Sequence, residues 1–514
     1  MSDAEKNDAG LTRREFARNV AAGVAALAAA HSLSAMEPRG AQSASETPAA
    51  SGNQEESDLC HELSKFIVKT KWEDLPPNVV HDTKMLFMDS VGDAIAGGTC
   101  IPGKMIIDLA QRFGGPPESS IIGGRGKVSP ASAVLANGQL INQLDFDAMP
   151  PGGHTPAYVI PPALALAESA GASGKALIVA MALGFEMAAR VDSAVGGGMA
   201  FDADGNIKWS PRTGSAVTAF GAVTGAGKIL NLDEKKMANA IGTAGHLSQV
   251  LTWIRQTFAE HRSMTKYGVP GWQDTGSLMA ALLAEMGYMG DTTLFDDPEQ
   301  GFWKFAGYDG WHPGKVLDGI GTKWNFTHVR FKPRPCCSMF QDQLEMFYKI
   351  IEENKIAPGD IESVKILGHP TLDMPLFANR ELTNVVDVQF GPANAFSLVA
   401  NGVAPGADWG NLDIVRSPKI QDLAKKITYG GAPHYGKHPL ESVVVVAKGQ
   451  TFKEEASSFV VVTGTQMTDA ELIAKFEHNA SGVLPPGKIE QAKKAFVDLE
   501  NVTNTAEMMK AVTL

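Results

Sequence analysis

The chain has 514 residues, is 44% hydrophobic and carries a formal net charge of −12. That length and apolar content support a large buried core, and the acidic balance excludes nucleic acid or an anionic membrane surface as the main partner. Four cysteines in so long a chain exclude a disulfide framework, and the vicinal pair Cys336–Cys337 reads as two buried thiols.

The first feature in chain order is Thr12-Arg13-Arg14-Glu15-Phe16, followed by an Ala-rich run from Val20 to Ala30. A twin arginine ahead of a modest apolar run reads as a Tat-type export signal over residues 1–35, with cleavage after Ala35 or near Ser43–Ala44. Residues 36–57 are rich in Ser, Ala, Pro and Glu and read as a disordered tether. The expected location is the periplasm, or the cytoplasm if the signal is not used, with no membrane contact after export.

From Leu59 the apolar spacing is helical. Helices are expected over Val79–Ala96, Ala131–Leu140, Ile160–Ala170, Gly174–Val191, Gly214–Leu230, Glu234–Ala244 and Thr275–Met286, with few strand signals among them. After about Trp324 the character changes. Ile361–Leu367 alternates like a strand, Ser442–Ala447 and Ser458–Val462 are β-branched runs, and Lys448-Gly449-Gln450 reads as a turn. A helix is expected over Gln341–Glu353, and Thr468-Asp469-Ala470-Glu471 fits a capping box that starts another. The expected fold is mainly α: a large all-helical domain (58–325), a smaller α+β lid domain (326–465), and C-terminal helices (466–514) that complete the first.

The candidate chemistry centres on residues 137–168. Asp145 and Asp147 precede His154 across a Pro/Gly-rich loop, an arrangement suited to acid/base work. Two cation-bearing loops follow, His261–Gly268 with Lys266, and Arg330–Cys337 with Lys332 and Arg334 set among prolines. A third cation, Arg212, stands before Thr213-Gly214 and a helix start. Gathered cations in an acidic protein point to a small anionic ligand. No P-loop or G-x-S-x-G elbow appears, and the histidines show no metal-binding spacing, so a zinc or iron–sulfur centre is not expected.

These segments, in this order, resemble the MmgE/PrpD family. The markers are Leu75-Pro76, Asp89-Ser90-Val91-Gly92, Ala136-Asn137-Gly138, Leu144-Asp145-Phe146-Asp147 with His154, Gly184-Phe185-Glu186 with Arg190, Thr213-Gly214, Lys266 with Gly271, Lys332-Pro333 with Pro335-Cys336-Cys337, and Ala395-Phe396-Ser397-Leu398. The resemblance implies a helical domain with a lid, a homodimer, and a site between the domains that handles small di- and tricarboxylates without metal or organic cofactor. It implies proton transfer next to a carboxylate, with loss of water, loss of CO2 or inversion. His154 would be the acid/base, and Asp145 would orient it or a leaving hydroxyl. Lys266, Lys332 and Arg334 would bind substrate carboxylates, with Arg212, Asp147 and Thr213 beside them; Lys266 could instead be the base if burial lowered its pKa. The chain departs from the family pattern at Ala148 and Met149, at Pro211 where a His is usual, at Arg334 where a Tyr is usual, and at Val269 where a His is common. The first reading is a dehydratase-like lyase; an epimerase or decarboxylase of a related diacid, and an exported carboxylate-binding protein, are the alternatives.

Overall fold

A computed structural model describes residues 58–204, 207–210, 215–248, 255–256, 258–259, 262–266, 268–327, 329–433, 441–456 and 466–514. The twin-arginine segment, residues 36–57, Arg212, Thr213 and the Ser458–Val462 run lie outside the described residues.

Helices dominate, and their starts follow local side-chain chemistry. In α1 (Leu59–Lys69) the cap Asp58 accepts from the His61 amide. Proline opens α2 (Pro77–Gly97), α3 (Ile101–Phe113, at its second position), α4 (Pro130–Asn142) and α5 (Pro156–Ala170), where its missing N–H costs nothing. Ser173 caps α6 (Gly174–Ala194), and Asp233 caps α8 (Glu234–Leu247). Between them the helix expected from Gly214 starts as a 3-10 turn at Ser215–Val217 and becomes α7 at Thr218–Ile229. Helix α9 (Pro270–Glu285) follows the Lys266 loop.

Small residues let these helices touch backbone to backbone. A Cβ on Gly184 would lie 2.8 Å from Gly221 O, and one on Gly271 only 1.9 Å from Leu135 O. The second contact fixes α9 against α4, and so sets how near the Lys266 loop comes to the end of α4.

Strands are few. Two short antiparallel ribbons, β1–β2 (Ser119–Ser120, Lys127–Val128) and β3–β4 (Gly198–Phe201, Ile207–Ser210), interrupt the helical part, where the sequence signalled almost none. The main sheet has the order β6-β5-β7-β8. Strand β5 (Ile361–Gly368) pairs parallel with β6 (Ile427–Gly431) and antiparallel with β7 (Glu441–Ala447), which forms a hairpin with β8 (Gln450–Ala456). The connecting pair Lys448-Gly449 has φ 53° and 70°, both positive as a two-residue hairpin of right-handed twist requires. Edge strand β8 carries Lys453, Glu454 and Glu455, charges that discourage further strand pairing. Helix α10 (Gln341–Glu353) packs on this sheet.

Apolar side chains gather in two clusters. The first joins α1 to α9 with Leu472, Phe476, Ala492, Phe496 and Val512 from the C-terminal end. Helices α11 (Asp469–Ala480) and α12 (Pro486–Val497) carry several of these, and α11 starts at the Thr468–Glu471 capping box. Phe496 meets Phe87 at 5.0 Å and Phe476 at 5.4 Å between ring centroids, aromatic pairs worth about 0.5–1.5 kcal/mol each beyond their burial. The second cluster runs from Cys336 to Ala447 and takes in Ala96, Cys100, Leu144 and Phe146. Ile141 and Ala148 belong to the first cluster, Leu144 and Phe146 to the second. The chain therefore crosses from one apolar cluster to the other and back within the loop that carries Asp145 and Asp147.

Candidate active site

The loop after α4 is built on its unfinished end. The Asn142 carbonyl, which the helix ladder leaves over, accepts from the Asp145 amide at 3.1 Å and from Lys266 Nζ at 2.7 Å. A cation at a helix C-terminus also suits the dipole there. Asp145 has φ 56° and Lys266 φ 50°. A left-handed conformation costs a non-glycine residue about 1–3 kcal/mol, so it persists only where surrounding bonds over-determine it.

Those bonds form a dense charge cluster. Asp145 is fully buried; its carboxylate lies 3.1 Å from Lys266 Nζ and 3.2 Å from Lys332 Nζ. Lys332 also donates to the Asp145 carbonyl at 2.9 Å. His154 Nδ1 lies 2.9 Å from Asp147 Oδ2, and the Asn142 amide donates to Asp147 Oδ1 at 3.0 Å. A carboxylate can only accept, so Nδ1 carries the proton and the 3.2 Å approach of Asn142 Nδ2 to Nδ1 is a donor–donor contact. Nε2 then faces Asp145 Oδ1 at 3.8 Å. The orienting carboxylate is thus Asp147 rather than Asp145: the left-handed turn at Asp145 directs its own side chain to the lysines and leaves Asp147 beside the imidazole.

Burial and pairing compete in each group. Burial opposes the charge on Asp147, but His154 outweighs it and holds the carboxyl below its ordinary value. Burial likewise opposes the charge on Lys332, yet Asp145 and Asp147 raise it above the usual lysine value. Lys266 goes the other way: burial wins over the same carboxylates, with the Lys332 charge adding to the depression. Burial drives the Cys337 thiol up to about 12, so it stays neutral at the margin of the cluster. All four cysteines are free and buried.

The other expected site residues separate. Arg334 is buried, but it pairs with Glu345 and lies 5.3 Å from the Tyr348 ring, both on α10. Its guanidinium is spent on that helix, because the proline-bounded turn points it there. Arg212 and Thr213 lie outside the described residues. From the basic loop, Arg262 donates to the carbonyls of Leu376, Asn379 and Phe390 and pairs with Asp387 at 3.3 Å, tying the loop to the second cluster.

The sequence reading missed a neighbouring group. Lys475 on α11 is buried, 2.7 Å from Asp89 and 3.4 Å from Asp93, both on α2. Burial raises both carboxyls, Asp93 well above its ordinary value with the Asp89 charge adding to it. Their spacing of four on one helix was a signal that a buried partner cation was needed.

Beside the Lys266 turn opens a cleft of about 450 Å3, bordered by Cys100, Lys104, Met264, Asn384 and Arg416. That volume suits a small molecule. Among the described residues no group of three or more His, Cys, Asp or Glu is arranged to hold a metal ion.

The chain is 23% identical over 488 residues to the cis-aconitate decarboxylase-like protein oryM of Aspergillus oryzae, covering 89% of this chain and 98% of that one. It is 25% identical to a cis-aconitate decarboxylase of Aspergillus terreus, over 56% of this chain and 58% of that one. It is 23% identical to the cis-aconitate decarboxylase of Homo sapiens, over 83% and 89% of the two chains. The MmgE/PrpD N-terminal domain matches residues 61–312 and the C-terminal domain residues 335–501, and the chain belongs to the MmgE/PrpD family.

Proposed function

We propose that the chain is a lyase of small polycarboxylates, working by proton transfer next to a carboxylate, with decarboxylation as its first outcome. The observation that carries the reading is the Asp147–His154 pair set against Asp145, itself held between Lys266 and Lys332. A substrate carboxylate shares the two ammonium groups with Asp145. The bond from carbon to one carboxylate breaks and CO2 leaves. The electron pair spreads toward a remaining carboxylate, whose growing charge the lysines stabilise. Imidazolium His154 then delivers its Nε2 proton to carbon and ends neutral, and Asp147 keeps the ring oriented throughout. Every step uses side chains of this chain and none requires a cofactor.

Decarboxylation needs one proton donor, whereas dehydration needs a base to take the proton from carbon and an acid for the departing hydroxyl. The relatives named as cis-aconitate decarboxylases favour the first. Dehydration is the second reading, supported by Lys266, which burial makes a better proton exchanger than an ordinary lysine.

Protein from Asp58 onward is to be incubated with cis-aconitate, citrate and 2-methylcitrate, following CO2 release and alkene absorbance. CO2 from cis-aconitate supports decarboxylation. Alkene formation from a hydroxy acid without CO2 supports the second reading, and binding without either change contradicts both.

A further inference from the structure

The Asp145–Asp147 loop is gripped from two distant parts of the chain. Lys332 donates to the carbonyl of Asp145 at 2.9 Å, and Lys475 donates to the next carbonyl, that of Phe146, at 3.0 Å. Lys475 Nζ also sits 3.6 Å from the centroid of the Phe146 ring, a short cation–π contact in a dry setting. Its remaining donors face Asp89 and Asp93. Asn479, one turn further along α11, donates to Asp93 at 3.0 Å, so one face of α11 is fitted to this cluster. The fit depends on a close approach: a Cβ on Gly92 of α2 would already be 3.2 Å from the Phe476 Cα.

A lysine that merely neutralised Asp89 could end its bonds on the carboxylates. Lys475 instead reaches through to the backbone and ring of the one residue between Asp145 and Asp147. Two consecutive peptide units held by two ammonium groups have little freedom to leave the left-handed turn at Asp145. We infer that Lys475 is a positioning residue for the acid/base loop: with Lys332 it fixes the turn that sets Asp147 against His154. This rests on the reading of His154 as the proton carrier, and concerns how that group is held.

The test reads the hydrogen bond itself as well as turnover. The downfield proton resonance of the Asp147–His154 bond is to be followed by NMR without substrate in the wild type, in Lys475→Gln, and in the double variant Asp89→Asn/Lys475→Met. The double variant removes the nearer of the two buried carboxylates together with its partner cation, leaves Asp93 its bond from Asn479, and so limits the cost to folding, but it cannot donate to Phe146 O. Both variants are expected to melt cooperatively, to shift or lose the resonance, and to lower kcat roughly 10- to 100-fold with KM within about twofold of the wild type, the pattern of a displaced catalytic group. Lys475→Arg is expected to recover part of both readouts. A folded double variant with an unchanged resonance and unchanged kcat would overturn the inference. Because the resonance needs no substrate, a wild type that turns over nothing would count against the lyase reading and leave this test in force.

Discussion

Two of the buried acid–base pairs among the described residues, Glu186–Arg190 and Asp147–His154, make a useful contrast. Glu186 and Arg190, one turn apart on α6, meet at 2.7 Å with no solvent exposure. Glu186 accepts from the amides of Asn325 and Phe326, and Arg190 donates to the carbonyls of Val316, Asp318 and Lys323. Every bond ends on the backbone of one segment, so the pair folds that segment onto α6. Asp147 and His154 meet at a similar 2.9 Å, but their neighbours are side chains that titrate: Asp145, and through it Lys266 and Lys332. Both pairs are buried, but burial raises the Glu186 carboxyl to about 7 whereas His154 holds the Asp147 carboxyl below its ordinary value. The pairs also differ in whether the bonds end on fixed backbone dipoles or on groups that can exchange protons, and the second arrangement is the one suited to acid/base chemistry.

Exchanging the behaviour of the two pairs would break this comparison. His154→Asn should lower turnover by about 10^2- to 10^4-fold while the melting curve stays cooperative; activity within a few fold of wild type would remove His154 from the chemistry. Arg190→Leu should leave Glu186 buried without its cation and cost about 3–5 kcal/mol in urea unfolding, and a variant with full stability but altered KM would reverse the assignment. Lys332→Ala should raise KM roughly 10- to 100-fold, as loss of a charge-assisted carboxylate contact does; an unchanged KM would deny it a substrate.

Smaller effects sharpen the picture. Burial and the Asp89 charge hold the Asp93 carboxyl well above its ordinary value. Above the ordinary carboxylate range the unfolded chain has released this proton and the native chain has not, so stability falls as pH rises toward the native value. Asp93→Asn removes that loss and keeps an acceptor for Asn479. Its Tm at neutral pH should rise by about 2–4 °C, and a lower Tm would contradict the upward shift of the Asp93 carboxyl. Arg334→Ala should change KM by less than about threefold, since its guanidinium is engaged by Glu345 on a partly exposed helix surface; a larger rise would return Arg334 to the substrate.

The sequence made local chemistry legible. The cap at Thr468 and the hairpin at Lys448-Gly449 are settled by neighbours within four residues, and the mainly helical fold with its small sheet follows from such signals. Asp145, Asp147 and His154 came together for the same reason. Which carboxylate holds the imidazole was not legible, because it depends on the left-handed turn at Asp145. The meeting of Lys332 with Asp145 spans 187 positions and was reached only through the family resemblance. Lys475 lies 329 positions from Phe146 on a helix whose charges look solvent-facing in sequence, and no local signal marks it. The Glu345 partner of Arg334 was hidden for a similar reason: proline rigidity indicated that the arginine was held, but not by what.

The most direct test of the central claim is solvent deuterium incorporation into the product formed from cis-aconitate, compared between the wild type, Asp147→Asn and His154→Asn. One deuterium at the carbon that loses CO2 or at its allylic partner, at a rate reduced in Asp147→Asn and lowered by about 10^2- to 10^4-fold in His154→Asn, is the predicted result. Deuterium incorporation at the wild-type rate in His154→Asn would contradict the account.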